Sequence, residues 1–159
     1  MPPWYARLWY PLRYAAVVRQ DARKDRLDAA LLAAVIETES KFDPNARSRA
    51  GAVGLMQLTP QTAEGIAAST GGTGFRVSDL TNPVVNIRYG AWYLRRLLVR
   101  YGDERLALAA YNAGEDNVDR WQKAHEAIQF PETVAYVDRV EHLKTIYRRS
   151  YAKQLGYSD

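Results

Sequence analysis

The sequence predicts a mainly α-helical single domain, and three observations carry that expectation. A chain of 159 residues suits one domain, and folding at that size buries about 68–70% of the unfolded surface, enough for a core without staples. Apolar residues recur at helical spacing over long stretches: Ile87, Ala91, Leu94 and Leu98 share one face, as do Tyr136, Val140, Leu143, Tyr147 and Tyr151. Helix punctuation divides the chain, with Thr59-Pro60, Asn82-Pro83 and Pro131 as starts and Gly102 and Gly114 as stops. No segment demands a sheet.

Taken in order, residues 1–10 read as an aromatic flank. They hold no continuous apolar core and no small-residue cleavage site, so they are not a signal peptide. The expectation is that a signal or membrane anchor precedes them. Trp4, Tyr5, Trp9 and Tyr10 suit a segment at a bilayer interface, or equally the domain's own surface. The domain proper is expected over 11–159. Pro11 should open a first helix through Ala15, Val17 and Val18 to about Arg23. Asp28 should cap a second, about Ala29 to Lys41, which Asp43, Pro44 and Asn45 break. Gly51 and Gly54 then bracket Leu55, Met56 and Leu58. A small β-hairpin and an irregular loop both fit near residues 49–58. Thr59 and Pro60 begin a short helix through Ala68, and Gly71, Gly72 and Gly74 form a surface loop. The longest central helix runs from Asn82-Pro83 to about Tyr101. Asp103 caps another over Glu104 to Asn112, and one more spans about Asp116 to Ala124. The last is expected from Pro131 to about Leu155.

Composition narrows the chemistry. There is no cysteine, which excludes disulfides and thiolate metal sites. His125 and His142 lack a ligand partner at metal spacing, and no calcium-loop pattern occurs, so neither metal nor cofactor is expected. The net charge of +4 is compatible with nucleic acid, an anionic membrane or the acidic envelope of a bacterial wall. The basic residues are spread over Arg95, Arg96 and Arg100 and over Arg139, Lys144, Arg148, Arg149 and Lys153, as solvated helix faces are. No run approaches the roughly 20 apolar residues of a membrane span.

The stretch from Ile36 to Pro60 holds two glutamates whose environments must differ. Residues three, four and seven apart share a helical face. Behind Glu39 lie Ile36, Val35 and Leu32, an apolar stripe that should bury its carboxyl at least partly. Behind Glu37 lie Ala34, Ala33 and Ala30, with Lys41 four residues ahead, so Glu37 reads as half-exposed. Desolvation should raise the pKa of Glu39, which suits a general acid near neutral pH; a structural buttress is the other reading.

Four blocks then carry a resemblance. They are Glu39-Ser40 followed by Phe42 and Pro44; SRAGAVGLMQLTP from Ser48; AAYNAG from Ala109; and PETVAYV from Pro131. With the YPLRY run at Tyr10, the chain resembles the soluble lytic transglycosylase (SLT) catalytic domain, a lysozyme-like fold that cleaves bacterial peptidoglycan. Thr59 and Ala30 depart from the family pattern, away from the proposed chemistry.

The resemblance implies non-hydrolytic cleavage of the β-1,4 bond between N-acetylmuramic acid and N-acetylglucosamine. The muramyl C6 hydroxyl attacks its own anomeric carbon and leaves a 1,6-anhydro end. One glutamate, Glu39 by the match, serves as acid and then base. Ser48 is implied near the reacting sugar, Met56 and Gln57 along the cleft facing it, and Tyr111 and Asn112 as sugar contacts. Glu132 and Tyr136 are implied in support. The implied partner is a peptidoglycan glycan strand, not nucleic acid, met by an exported monomer at the cell envelope.

Two other functions compete. A goose-type lysozyme-like muramidase needs a positioned water and a second carboxylate, for which, inside the matched blocks, only Asp43 and Glu132 offer themselves. A non-catalytic wall- or DNA-binding module fits the basic charge but leaves the Glu39 stripe without purpose.

Overall fold

The computed structural model describes residues 1–158. Eight α-helices follow one another: α1 (Pro3–Trp9), α2 (Ala15–Lys24), α3 (Ala29–Ser40), α4 (Pro60–Thr70), α5 (Pro83–Tyr101), α6 (Glu104–Ala113), α7 (Glu115–Lys123) and α8 (Pro131–Ser150). A 3-10 turn, Val77–Thr81, precedes α5. Among the described residues strand pairing is limited to two isolated bridges, Arg47 with Val53 and Val53 with Leu58. The 49–58 region is therefore an irregular loop rather than a full hairpin.

The caps fall where the side chains dictate. Asp28 accepts from the Ala30 and Leu31 amides, Thr59 from Thr62, Asn82 from Val84 and Val85, and Asp103 from Leu106. Each satisfies amides that the first helical turn leaves without partners.

α3 is the central helix, packed chiefly against α8 and also against α2. Every residue from Ala29 to Glu37 is buried. The alanines explain why. Ala30, Ala33 and Ala34 are a close-approach surface rather than a mild outer face, since small side chains let neighbouring helices pack tightly. This corrects the expectation for Glu37, which is buried at 4% exposure. Lys41 leaves helical geometry at φ 52° and forms no ion pair with it.

Two apolar clusters result. The main one joins α2, α3, α5, α6, α7 and α8. The second gathers Val53, Leu58, Ala63, Ile66, Ala67, Leu80 and Tyr89. The loop between α3 and α4 feeds both: Leu55 and Met56 enter the main cluster, Val53 and Leu58 the second. Asn86, fully buried on α5, ties this loop down. Its Oδ1 accepts from the Met56 amide at 2.7 Å, and its Nδ2 donates to the Val53 and Leu80 carbonyls at 2.9 Å each.

The aromatic flank forms a helix of its own, α1, which lies against α8 on the domain's surface, one of the two placements expected for it. Pro11 does not open a helix. The segment from Tyr10 to Tyr14 crosses the end of α8 instead, where the Tyr151 hydroxyl donates to the Tyr10 carbonyl at 3.0 Å and accepts from the Leu12 amide at 3.2 Å. α2 starts only after Tyr14, held at φ 54°. α8 likewise ends at Ser150, short of Leu155.

Candidate active site

The carboxyl of Glu39 sits in the last turn of α3, where the apolar stripe meets the loop. The stripe residues Leu32, Val35 and Ile36 are fully buried, while Glu39 itself keeps a partly open edge. The Tyr136 hydroxyl, from the second turn of α8, donates to Glu39 Oε1 at 2.8 Å. Burial pushes the carboxyl up from its ordinary 4.5 to about 7, against the opposing hydrogen bond from Tyr136. An acid poised there can give and retake a proton near neutral pH.

Two tyrosines stay neutral beside it. The Tyr136 and Tyr111 hydroxyls are raised well above their usual range, by burial first and then by the charge of Glu39. Tyr111, on α6, donates to the Met56 carbonyl at 2.7 Å. Its ring lies 5.7 Å from that of Tyr93 on α5. Ser40 closes the other side, donating from Oγ to the Ile36 and Leu55 carbonyls at 3.0 and 2.7 Å. Four elements thus converge on Glu39: α3, α6, α8 and the backbone of the Leu55–Met56 loop.

The other expected residues are placed less uniformly. The Met56 side chain is fully buried and packs onto Gly90, where an added Cβ would lie 2.2 Å from its Sδ. Facing a sugar with that side chain is therefore excluded; Met56 reaches the site through its carbonyl. Gln57, at φ 51°, turns its amide back to the Ala46 and Gly54 carbonyls at 3.0 and 2.9 Å. Ser48 is exposed, and its Oγ accepts from the Ala52 amide at 3.0 Å to close a turn. Asn112 accepts from Thr133 Oγ1 at 2.9 Å, joining the end of α6 to the start of α8. Glu132 is exposed in the first turn of α8. None of these five hydrogen-bonds the Glu39 side chain among the described residues.

Glu37, the other glutamate of α3, faces a separate environment. Its Oε2 accepts from the Tyr147 hydroxyl at 3.4 Å, and burial raises its pKa against the effects of Tyr147, Arg139 and Lys41. Sequence reasoning missed Asn86 and Tyr93. Both lie, with Gly90 and Leu97, on a stripe beside the apolar one on α5, and a polar residue on such a stripe was the available signal. Among the described residues no group of three His, Asp or Glu is placed to hold a metal.

Residues 16–132, well over half of the chain, match the family model described as the transglycosylase SLT domain. The chain belongs to this family. The SLT chain is 31% identical over 151 residues to a soluble lytic murein transglycosylase of Salmonella typhimurium, covering 87% of itself and 23% of that relative. It is 34% identical over 150 residues to a membrane-bound lytic murein transglycosylase F of Alcanivorax borkumensis, covering 81% of itself and 30% of the relative. Among solved structures, it superposes with a TM-score of 0.84 and 33% identity on an inactive glutamate-to-glutamine mutant of lytic transglycosylase Slt from Pseudomonas aeruginosa, over 92% of this chain and 25% of that one. A complex of the 70-kDa soluble lytic transglycosylase with bulgecin A matches at TM-score 0.86 and 27% identity, over 97% of this chain and 27% of that one. The SLT chain thus spans about a quarter to a third of the relatives it matches.

Proposed function

We propose that this SLT domain is a lytic transglycosylase that cleaves the β-1,4 bond between N-acetylmuramic acid and N-acetylglucosamine in peptidoglycan. One observation carries the reading: a single carboxyl, Glu39, stands at the end of an apolar helix with its pKa pushed up to about 7 and one tyrosine hydroxyl on it. The relatives' names and the inactive glutamate mutant of the Pseudomonas enzyme support the same chemistry.

In this reading Glu39 begins protonated. It gives its proton to the glycosidic oxygen as the bond to the muramyl anomeric carbon breaks. The Glu39 carboxylate, steadied by Tyr136, then takes the proton of the muramyl C6 hydroxyl as that oxygen bonds to the anomeric carbon. The ring closes to a 1,6-anhydro end, Glu39 regains its proton, and no water is consumed.

A hydrolytic route asks for a second carboxylate that positions water. Asp43 turns its carboxylate to the Asn45 amide at 2.9 Å, and the relatives are named lytic murein transglycosylases. Both facts weigh against the muramidase alternative. Ser48, Gln57, Asn112 and Glu132 stand at or near the surface and are assigned to the glycan strand as binding residues. A peptidoglycan substrate implies an enzyme outside the cytoplasm, at the cell envelope. Product masses from digested peptidoglycan test the assignment, because an anhydro end is one water lighter than a reducing end.

A further inference from the structure

The N-terminal helix carries an apolar face that the domain leaves uncovered. Trp4, Tyr5, Leu8 and Trp9 fall at positions i, i+1, i+4 and i+5 of one helical stripe, and Trp4, Leu8 and Trp9 are each more than 60% exposed. The opposite side is fixed. Ala6 is buried, Arg7 donates to the Ser150 carbonyl at 2.9 and 2.5 Å, and its guanidinium lies over the Tyr151 ring at 5.3 Å. With that side held, α1 cannot roll its aromatic face inward without breaking these contacts.

The surroundings are basic. Residues 1–20 contain Arg7, Arg13 and Arg19 and no acid; residues 142–158 contain Lys144, Arg148, Arg149 and Lys153 and no acid. Arg13, Arg149 and Lys153 are exposed and form no side-chain hydrogen bond or ion pair among the described residues. Exposed tryptophan and tyrosine on a helix whose flanking segments carry unpaired cations match the headgroup region of a bilayer, where amphipathic rings settle and anionic lipids attract arginine and lysine. A second copy of the chain fits less well, since one four-residue face falls far short of the 20–30 residues per side, about 800 Å², of a standard interface.

We propose that α1 docks the domain on an anionic lipid surface through Trp4, Tyr5, Leu8 and Trp9. The geometry suits work on a nearby wall. α1 grips the C-terminal end of α8, whereas Tyr136 lies 14 residues back toward its start, about 20 Å away at the α-helical rise. Docking through α1 therefore engages an end of the domain about 20 Å along α8 from the Glu39 region. The inference does not depend on the reaction assigned to Glu39.

Co-sedimentation of the full chain with vesicles of equal parts phosphatidylglycerol and phosphatidylcholine tests it. The wild type should sediment with these vesicles, less so as salt rises. The Trp4→Ser/Leu8→Ser/Trp9→Ser variant should bind at least about tenfold more weakly. Arg13→Glu/Arg149→Glu, which leaves α1 intact, should weaken binding by a similar factor. Failure of the wild type to bind overturns the proposal, as does equal binding by the serine variant. Vesicle-independent self-association that the serine variant abolishes would assign the face to a second copy and overturn it too.

Discussion

The Tyr136 hydroxyl donates to Glu39 Oε1 at 2.8 Å, joining α8 to the last turn of α3 across 97 residues of sequence. Burial raises the Glu39 carboxyl and this bond opposes the rise. Tyr136→Phe removes the opposing influence, so the pKa of Glu39 should climb further. The alkaline limb of the kcat/KM profile should then move to higher pH. A hydrogen bond to a charged group contributes about 1.5–3 kcal/mol, so kcat/KM should fall on the order of tenfold or more. A pH–rate profile checks both; an unmoved limb would contradict the role given to Tyr136.

Glu39 also links stability to pH. Its carboxyl is half-titrated at about 7 in the folded chain against an ordinary 4.5. Between those values the folded state binds more protons than the unfolded one, so stability falls as pH rises through that window. Glu39→Gln keeps the shape and removes the titration. It should therefore be more stable than wild type at pH 8, by on the order of 1–3 kcal/mol, with the gap closing toward pH 4. Urea melts across this range measure it, and a gap independent of pH would count against the shift.

The two glutamates of α3 should separate cleanly by function. Glu37 faces Tyr147, and the Tyr147 hydroxyl also reaches the Pro11 carbonyl at 3.4 Å. Its carboxyl ties α3 to α8, and Tyr147 carries the link on to the chain before α2. Glu37→Gln should leave kcat within about twofold of wild type and the fold intact, while Glu39→Gln removes turnover. Equal losses in the two variants on a peptidoglycan assay would undo the distinction.

The loop beside the site depends on polar anchors. Asn86 donates twice and accepts once in a fully buried setting, and aspartate cannot donate to the Val53 and Leu80 carbonyls. Asn86→Asp should cost roughly 3 kcal/mol or more, since it adds a buried charge and strands two carbonyls. Tyr111→Phe frees only the Met56 carbonyl and should cost about 1–3 kcal/mol. Chemical denaturation of both variants reads the ranking; a milder effect at Asn86 than at Tyr111 would refute it.

Much of this architecture was legible in local chemistry. Asp28, Thr59, Asn82 and Asp103 cap the helices they were expected to cap, because a cap is set by a side chain and the amides two or three residues on. The stripe behind Glu39 singled out the partly buried carboxyl for the same reason. What local pattern missed depends on contacts distant in sequence. Ala30, Ala33 and Ala34 carry no mark of the helix that packs on them, so Glu37 read as half-exposed. Pro11 is a good helix start by its own geometry, but Tyr151 holds the segment in a crossing. Met56 joined a motif along a cleft, and its buried side chain against Gly90 belongs to a tertiary contact that spacing does not encode.

In the proposed reaction Glu39 alone drives a water-free cleavage. Mass analysis of purified peptidoglycan digested by wild type and by Glu39→Gln tests it most directly. Wild type should release 1,6-anhydromuramyl ends, one water lighter than reducing ends, and the folded variant no new ends. Reducing ends from wild type, or anhydro ends from Glu39→Gln, would contradict it.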